Sequence, residues 1–174
     1  MERNINLIRN VDDKNIVVIN DIRFKGKRKI DWNAVETYLK HYIGGTYEII
    51  ESRDMVYIGG DFADEYCGSK DTARLKGTLA KAKANAAQGL PELIANASGK
   101  RYKKNFADKH SHNAKYGWYR YDSWFAIPVY ESDGRVERYN IFHVEILIRH
   151  AEDGKMYLYD LVNIKKETST PLKQ

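Results

Sequence analysis

His143, Glu145 and Arg149 sit at odd-numbered places in "FHVEILIRH" (142–150), a stretch otherwise composed like a buried strand. Read with period two, Phe142, Val144, Ile146 and Ile148 share one face. The other face carries His143, Glu145 and Arg149, interrupted only by Leu147. An acid, a base and a permanent cation in one line suit metal-free cleavage of RNA. One group takes the 2′-hydroxyl proton, a second protonates the leaving oxygen, and cations hold the charge that builds on phosphorus. Either His143 or Glu145 fits the base, with the other as acid. The competing account is a solvated sheet face whose three charged residues make weak cross-strand pairs.

The elements that must position these residues follow from the turns. "EDG" (152–154) and "SDG" (132–134) read as three-residue hairpin loops with glycine in the left-handed position. Closing the first loop with Ala151 opposite Lys155 sets Arg149 against Tyr157 and Ile148 against Leu158. The same register sets Leu147 against Tyr159, His143 against Asn163 and Phe142 against Ile164. It gathers Tyr157, Tyr159, Asn163 and Lys165 onto the polar face. A second hairpin built alike adds Tyr119, Tyr121 and Ser123 to that face, with Pro128 expected to force a bulge. Tyrosines there can stack on bases.

Upstream, "IDWNAVETYLKHYIGG" predicts a helix with Asp31 as N-cap and Gly44 as its stop, and "TYEIIESRDMVYIGG" predicts a hairpin. "SKDTARLKGTLAKAKANAAQGLP" predicts one long helix, capped by Ser69 or Asp71 and ended by Gly89. Its apolar stripe is Leu75, Leu79, Ala82 and Ala86. Lys70, Arg74, Lys81, Asn85 and Gln88 lie on one flank, and Lys76 and Lys83 on the other. "PELIANASG" reads as a second short helix, and "KRYKKNFADKH" as a third with Tyr102 and Phe106 inward. The expected fold class is α+β in a single domain, 1–174: a mixed α/β entry (1–60), a helical basic segment (69–110) and an antiparallel β-meander (116–167).

Composition agrees with a polyanion partner. The 174 residues carry a net charge of +5, yet 70–120 alone holds twelve Lys or Arg against three acids, a net of +9. A basic block on a mildly acidic body is the electrostatic footprint of RNA or another polyanion, and a solvated lysine face is the alternative. The single cysteine, Cys67, allows no intrachain disulfide and points to a reducing, cytoplasmic setting. No run reaches membrane-spanning length and no signal-type apolar core opens the chain, so no membrane partner is expected. The polar face lacks the clustered soft ligands or carboxylates of zinc or two-metal sites, so neither metal nor cofactor is expected. His110 and His112 in "KHSHN" read as a surface loop, with metal binding or an acid/base role as the minor alternatives.

Four motifs, "INDIRFKGKRKIDWNAVE", "KGTLAKAKANAAQG", "YGWYRYDSWFAIPVY" and "LIRHAEDGKMYLYDLVNIKKETSTPL", together resemble the large polyvalent protein-associated domains of phages and conjugative elements, the third type in particular. The resemblance spans roughly 16–172 and implies a mobile-element protein acting in a host bacterial cell. Such proteins are similar in context to nucleases of the barnase–EndoU–colicin–RelE group, which place helices before a four-stranded antiparallel meander. The residues carried by the resemblance are Lys81, Lys83 and Asn85, Arg120, Arg149 and Tyr159, and Lys165 with Lys166. His143 and Glu145 rest on strand parity alone. The expected catalytic set is His143, Glu145, Arg149 and Tyr159, and the expected nucleic-acid-binding set is Lys81, Lys83, Asn85, Arg120, Lys165 and Lys166. The first functional expectation is a metal-independent endoribonuclease. The second is a non-catalytic module that binds nucleic acid or protein, such as an inhibitor of a host-defence nuclease or part of a larger polyvalent protein.

Overall fold

Three long strands dominate the computed structural model, which describes residues 2–10, 12–26 and 28–170. Two short strands come first, β1 (Ile5–Arg9) and β2 (Asn15–Ile19). They are followed by helix α1 (Trp32–Leu39) and a hairpin of β3 (Thr46–Glu48) and β4 (Met55–Tyr57). The helical segment contains α2 (Phe62–Gly68), α3 (Lys70–Arg74), α4 (Gly77–Ala86) and α5 (Leu90–Ala95). β5 (Ser98–Lys103) leads into the long strands β6 (Trp118–Tyr130), β7 (Val136–His150) and β8 (Met156–Thr170).

β6, β7 and β8 form the antiparallel meander that the two glycine loops predict. The sheet is larger and mixed, however, so the fold is α+β without being a simple antiparallel meander. Its eight strands run β1-β2-β6-β7-β8-β4-β3, with β5 on the free edge of β6. β2 pairs parallel with β6 and β4 parallel with β8. Parallel partners need crossovers, and the helical segment supplies one between β4 and the long strands.

The helices pack on one face of this sheet. Val17, Ile19, Tyr121, Phe125, Phe142, Val144, Ile146, Ile148, Leu158 and Leu161 meet Val35, Leu39, Phe62, Tyr66, Leu90 and Leu93 in one core. Asp31 caps α1, accepting from the amides of Asn33 and Ala34, as expected. Gly89 lets its turn lie directly on β2: an added Cβ would stand 3.1 Å from Val17 Cγ1. On the other face a small cluster, Ile8, Ile16, Val18, Ala126 and Ile141, is buried.

Two helical expectations are corrected. The long helix from Ser69 is broken: Leu75 and Lys76 are extended, so α3 ends and α4 starts afresh. Ser69 does cap the first piece, accepting from the amide of Thr72. The third helix does not form; "SGKRYK" is β5, antiparallel to β6, and Tyr102 and Phe106 point outward, Phe106 at 80% exposure. The free edge of β6 offers those backbone groups ladder partners, which outweighs the local helix signal. No helix among the described residues is long and apolar enough to cross a membrane. The expected loose tail lies partly outside the described residues, while β8 extends to Thr170.

Candidate nucleic-acid interface

Strand parity holds at the centre of β7. Val144, Ile146 and Ile148 are buried under the helices, whereas His143 and Glu145 point to the opposite, open face. The "EDG" register is as expected at its start: Ala151 donates to Lys155 O, Arg149 faces Tyr157 and Ile148 faces Leu158. Beyond that, β8 bulges. Leu147 pairs with Asp160, Glu145 with Val162, His143 with Lys165 and Phe142 with Lys166. One-residue slips between Leu147 and Ile148 and between His143 and Glu145 absorb the difference, and Asn163 takes φ 54°. Asparagine tolerates that left-handed conformation better than most residues. Lys165 therefore shares the face of His143 and Glu145. Lys166 lies on the helix face beside Lys81 and does not join it.

The β6 register is corrected by one residue. A bulge between Val129 and Tyr130, next to Pro128, sets Asp122 against Glu145 and Trp124 against His143. Tyr119, Tyr121 and Ser123 thus turn toward the helices; Tyr121 donates to Asp54 and Ser123 to Leu93 O. The open face receives Trp118, Arg120, Asp122 and Trp124 instead.

The centre of that face is a closed charge network. His143 Nε2 lies 2.8 Å from Asp122 Oδ1. Arg101 grips Asp122 with two bonds, 2.8 and 3.1 Å. Arg120 donates to Glu145 Oε1 at 2.7 Å and Asn163 Nδ2 donates to the same atom at 3.2 Å. Trp124 stacks obliquely on His143, with ring centres 5.2 Å apart, under the ammonium of Lys14. Burial pushes the Glu145 carboxyl up. The hydrogen bonds of Arg120 and Asn163 and the charges of Arg120 and Arg101 outweigh it, leaving Glu145 below its ordinary range. Asp122 behaves alike: burial raises it, and Arg101 and His143 bring it lower still. A carboxyl held ionised in this way is a poor proton donor at neutral pH.

Next to this network lies a cavity of about 400 Å³. It is lined by Trp118, Tyr159, His110, Phe106 and Leu147 together with Lys103, Lys104 and Arg120. Trp118 and Tyr159 meet edge to face at 5.0 Å, and His110 meets Trp118 at 5.1 Å. Trp118 Nε1 donates to Asn105 Oδ1 and His110 Nδ1 pairs with Asn113 Oδ1, so these two rings are held by side-chain partners. Burial, and then the charge of Glu65, pushes the Tyr159 hydroxyl up to about 12. At neutral pH it is a hydrogen-bond donor and a stacking surface, not a base. No carboxylate lines the cavity among the described residues.

The remaining expected site residues separate from this region. Arg149 has the right parity, but four residues along a strand from Glu145 is about 13 Å. Its side chain is only 11% exposed and is spent on Asn113 O (2.9 Å), the Tyr157 ring (4.3 Å) and Asp61 (4.0 Å). Lys83 and Asn85 are buried completely, because α4 presses into the core where solvent-facing flanks were expected. Lys83 Nζ pairs with Asp160 at 2.9 Å and Asp71 at 3.3 Å, above the Tyr66 ring. Asn85 clamps the backbone of Phe24 through both its amide groups. Neither can meet a ligand at the surface. Lys81 stays accessible but lines clefts on the helix side.

The chain matches no protein-family model, no curated protein and no solved structure. The open face must be interpreted from its own chemistry.

Arg101, Asp122, Trp118 and Trp124 are the residues that sequence reasoning missed, and His110, expected in a surface loop, joins the cavity lining. Arg101 was hidden by the helix reading of "KRYKKNF". Asp122 and the tryptophans were hidden by the one-residue bulge. Among the described residues, no group of three or more His, Cys, Asp or Glu is placed to hold a metal ion. Cys67, pushed up to about 12 by burial, remains a thiol at neutral pH. His112 pairs with Glu152 at 2.7 Å on the surface, and His150 contacts Gly154 O at the strand end.

Proposed function

We propose that the chain binds single-stranded nucleic acid on the open face of the sheet, with a base in the Trp118–Tyr159–His110 cavity and the backbone along Lys103, Lys104 and Arg120. The supporting observation is the cavity itself: three aromatic rings and three cations share its lining, with no carboxylate there among the described residues. Base-on-aromatic stacking is worth about 1–3 kcal/mol per base and tolerates any sequence, while cations supply the salt-dependent part of the affinity. Fluorescence anisotropy with a labelled single-stranded RNA and the matching DNA tests this. Trp118→Ala should weaken binding about tenfold or more at constant salt. If Trp118→Ala binds as the parent does while remaining folded, the cavity is not the recognition site.

A second reading is favoured by one contact. The 2.8 Å His143–Asp122 pair is the geometry of an oriented acid–base histidine, and it supports metal-independent cleavage of the bound RNA. The ion-paired state of Glu145 and the displacement of Arg149 weigh against it. Incubation of total RNA with the chain in EDTA decides: fragments ending in 2′,3′-cyclic phosphate, lost in His143→Ala, establish cleavage. Intact RNA leaves the binding reading alone. We carry the mobile-element origin, and with it a host-defence protein as partner, as a proposal from the four motifs. Phage or conjugation genes flanking the coding sequence are its test.

A further inference from the structure

We propose that the cleft at the start of α4, on the helix side of the sheet, binds a nucleoside polyphosphate. The cleft measures about 710 Å³, within the range of small-molecule sites of roughly 300–1,000 Å³. Arg28, Lys29, Lys76 and Lys81 line it, and no carboxylate does among the described residues. None of the four cations makes an ion pair among the described residues, whereas most arginines of this chain do.

The broken helix sharpens the point. Lys76 is extended, no side chain caps α4, and Gly77 and Thr78 of its first turn form part of the cleft wall. Gly77 takes φ 56°, and an added Cβ would meet nothing within 4 Å, so the glycine serves the backbone turn and not a tight fit. The ten-residue helix therefore adds its positive end to four unneutralised side chains. Such a concentration of one sign is self-repelling until an anion enters.

The nature of the anion follows from the rest of the lining. Four cations lining one cleft fit contiguous charges on a phosphate chain. The backbone of a nucleic acid, with one charge per nucleotide, would need them strung along a track. Trp32, half-buried against the core, and Ile30 offer an aromatic and apolar wall that inorganic phosphate cannot use but a nucleobase can.

Titration calorimetry of the full chain in EDTA with ATP, inorganic tripolyphosphate and adenosine tests the assignment. ATP should bind at one site, tripolyphosphate more weakly, and adenosine not detectably. Lys76→Gln/Lys81→Gln should weaken ATP by about a hundredfold, on the order of tenfold for each cation lost. Trp32→Leu should weaken ATP while leaving tripolyphosphate unchanged. In the unaltered chain ATP should shield Lys76 and Lys81 from acetylation, read by mass spectrometry, which needs no variant to fold. The assignment fails if ATP does not bind, if tripolyphosphate binds as tightly as ATP, if the double variant binds normally, or if a short RNA displaces ATP and takes the cleft itself. Trp118→Ala lies on the other side of the sheet and should leave ATP binding intact, so this site and the nucleic-acid cavity stand or fall separately.

Discussion

Two charge networks lie on opposite faces of the sheet, and they are built on opposite principles. On the helix side, Lys83 and Asp160 are sealed: the ammonium is fully buried, held by Asp160 and Asp71, with Ser69 donating to Asp160 at 2.8 Å. On the open side, Asp122 and Glu145 are bound by Arg101 and Arg120, whose own side chains remain 45% and 39% exposed. Burial pushes Asp160 up to about 6 despite Lys83, whereas on the open face the arginines win and both carboxyls fall. The same ingredients thus give a structural clasp where water is excluded and a solvent-accessible network where it is not.

The largest expected effect comes from opening the clasp. Lys83→Met leaves Asp160 buried without its cation, and breaking such a pair costs about 3–5 kcal/mol. Urea denaturation should show that loss, and Lys83→Met/Asp160→Leu should recover most of it, since an apolar pair of similar volume removes the stranded charge. A cost below about 1 kcal/mol for Lys83→Met would erase the distinction between the two networks.

The clasp was also the least legible part of the sequence. Lys83 and Asn85 sit at helical positions that a lysine-rich stretch presents as surface, and only the neighbouring run of alanines hints that the helix is swallowed by the core. Asp160 interrupts "LYDLV" in the way a polar-face residue would, yet a bulge beside Leu147 turns it inward. The meander, the two hairpin loops, the Asp31 cap and the parity of His143 and Glu145 were readable, because local turn chemistry and period two decide them. Bulges and parallel pairings were not, because they depend on partners distant in sequence: β2 pairs with β6 and β4 with β8. The basic block, one patch on paper, is divided by the fold among core, cleft and cavity lining.

A pH series tests the contrast in sign. Asp160 has a folded value raised to about 6, above its ordinary 3.8, so its proton favours the native state. Its contribution to stability is full below about 4 and is lost as pH rises through 6. Asp122 and Glu145 have folded values below their ordinary ones, so their contribution is present above about 4.5 and is lost as pH falls. Denaturation midpoints between pH 3 and 7 should therefore give wild-type-minus-variant differences that fall with pH for Asp160→Asn and rise with it for Asp122→Asn. Equal slopes would mean that the two carboxyls share one environment.

The smallest stability effect is expected at Arg120, and that is where the comparison becomes functional. Its pair with Glu145 is short, 2.7 Å, but the guanidinium stays in contact with water. Arg120→Ala should cost about 1 kcal/mol or less, because solvent screens such a pair and takes over the hydrogen bonds it leaves. Arg120 nevertheless lines the aromatic cavity, so on the proposed binding mode the same change removes one phosphate partner. Nucleic-acid binding should weaken, and the slope of log K against log salt should shrink by about 0.7, the value of one contact on a single strand. A large loss of stability with an unchanged salt slope would make Arg120 a second clasp, and would move the recognition surface away from the open face of the sheet.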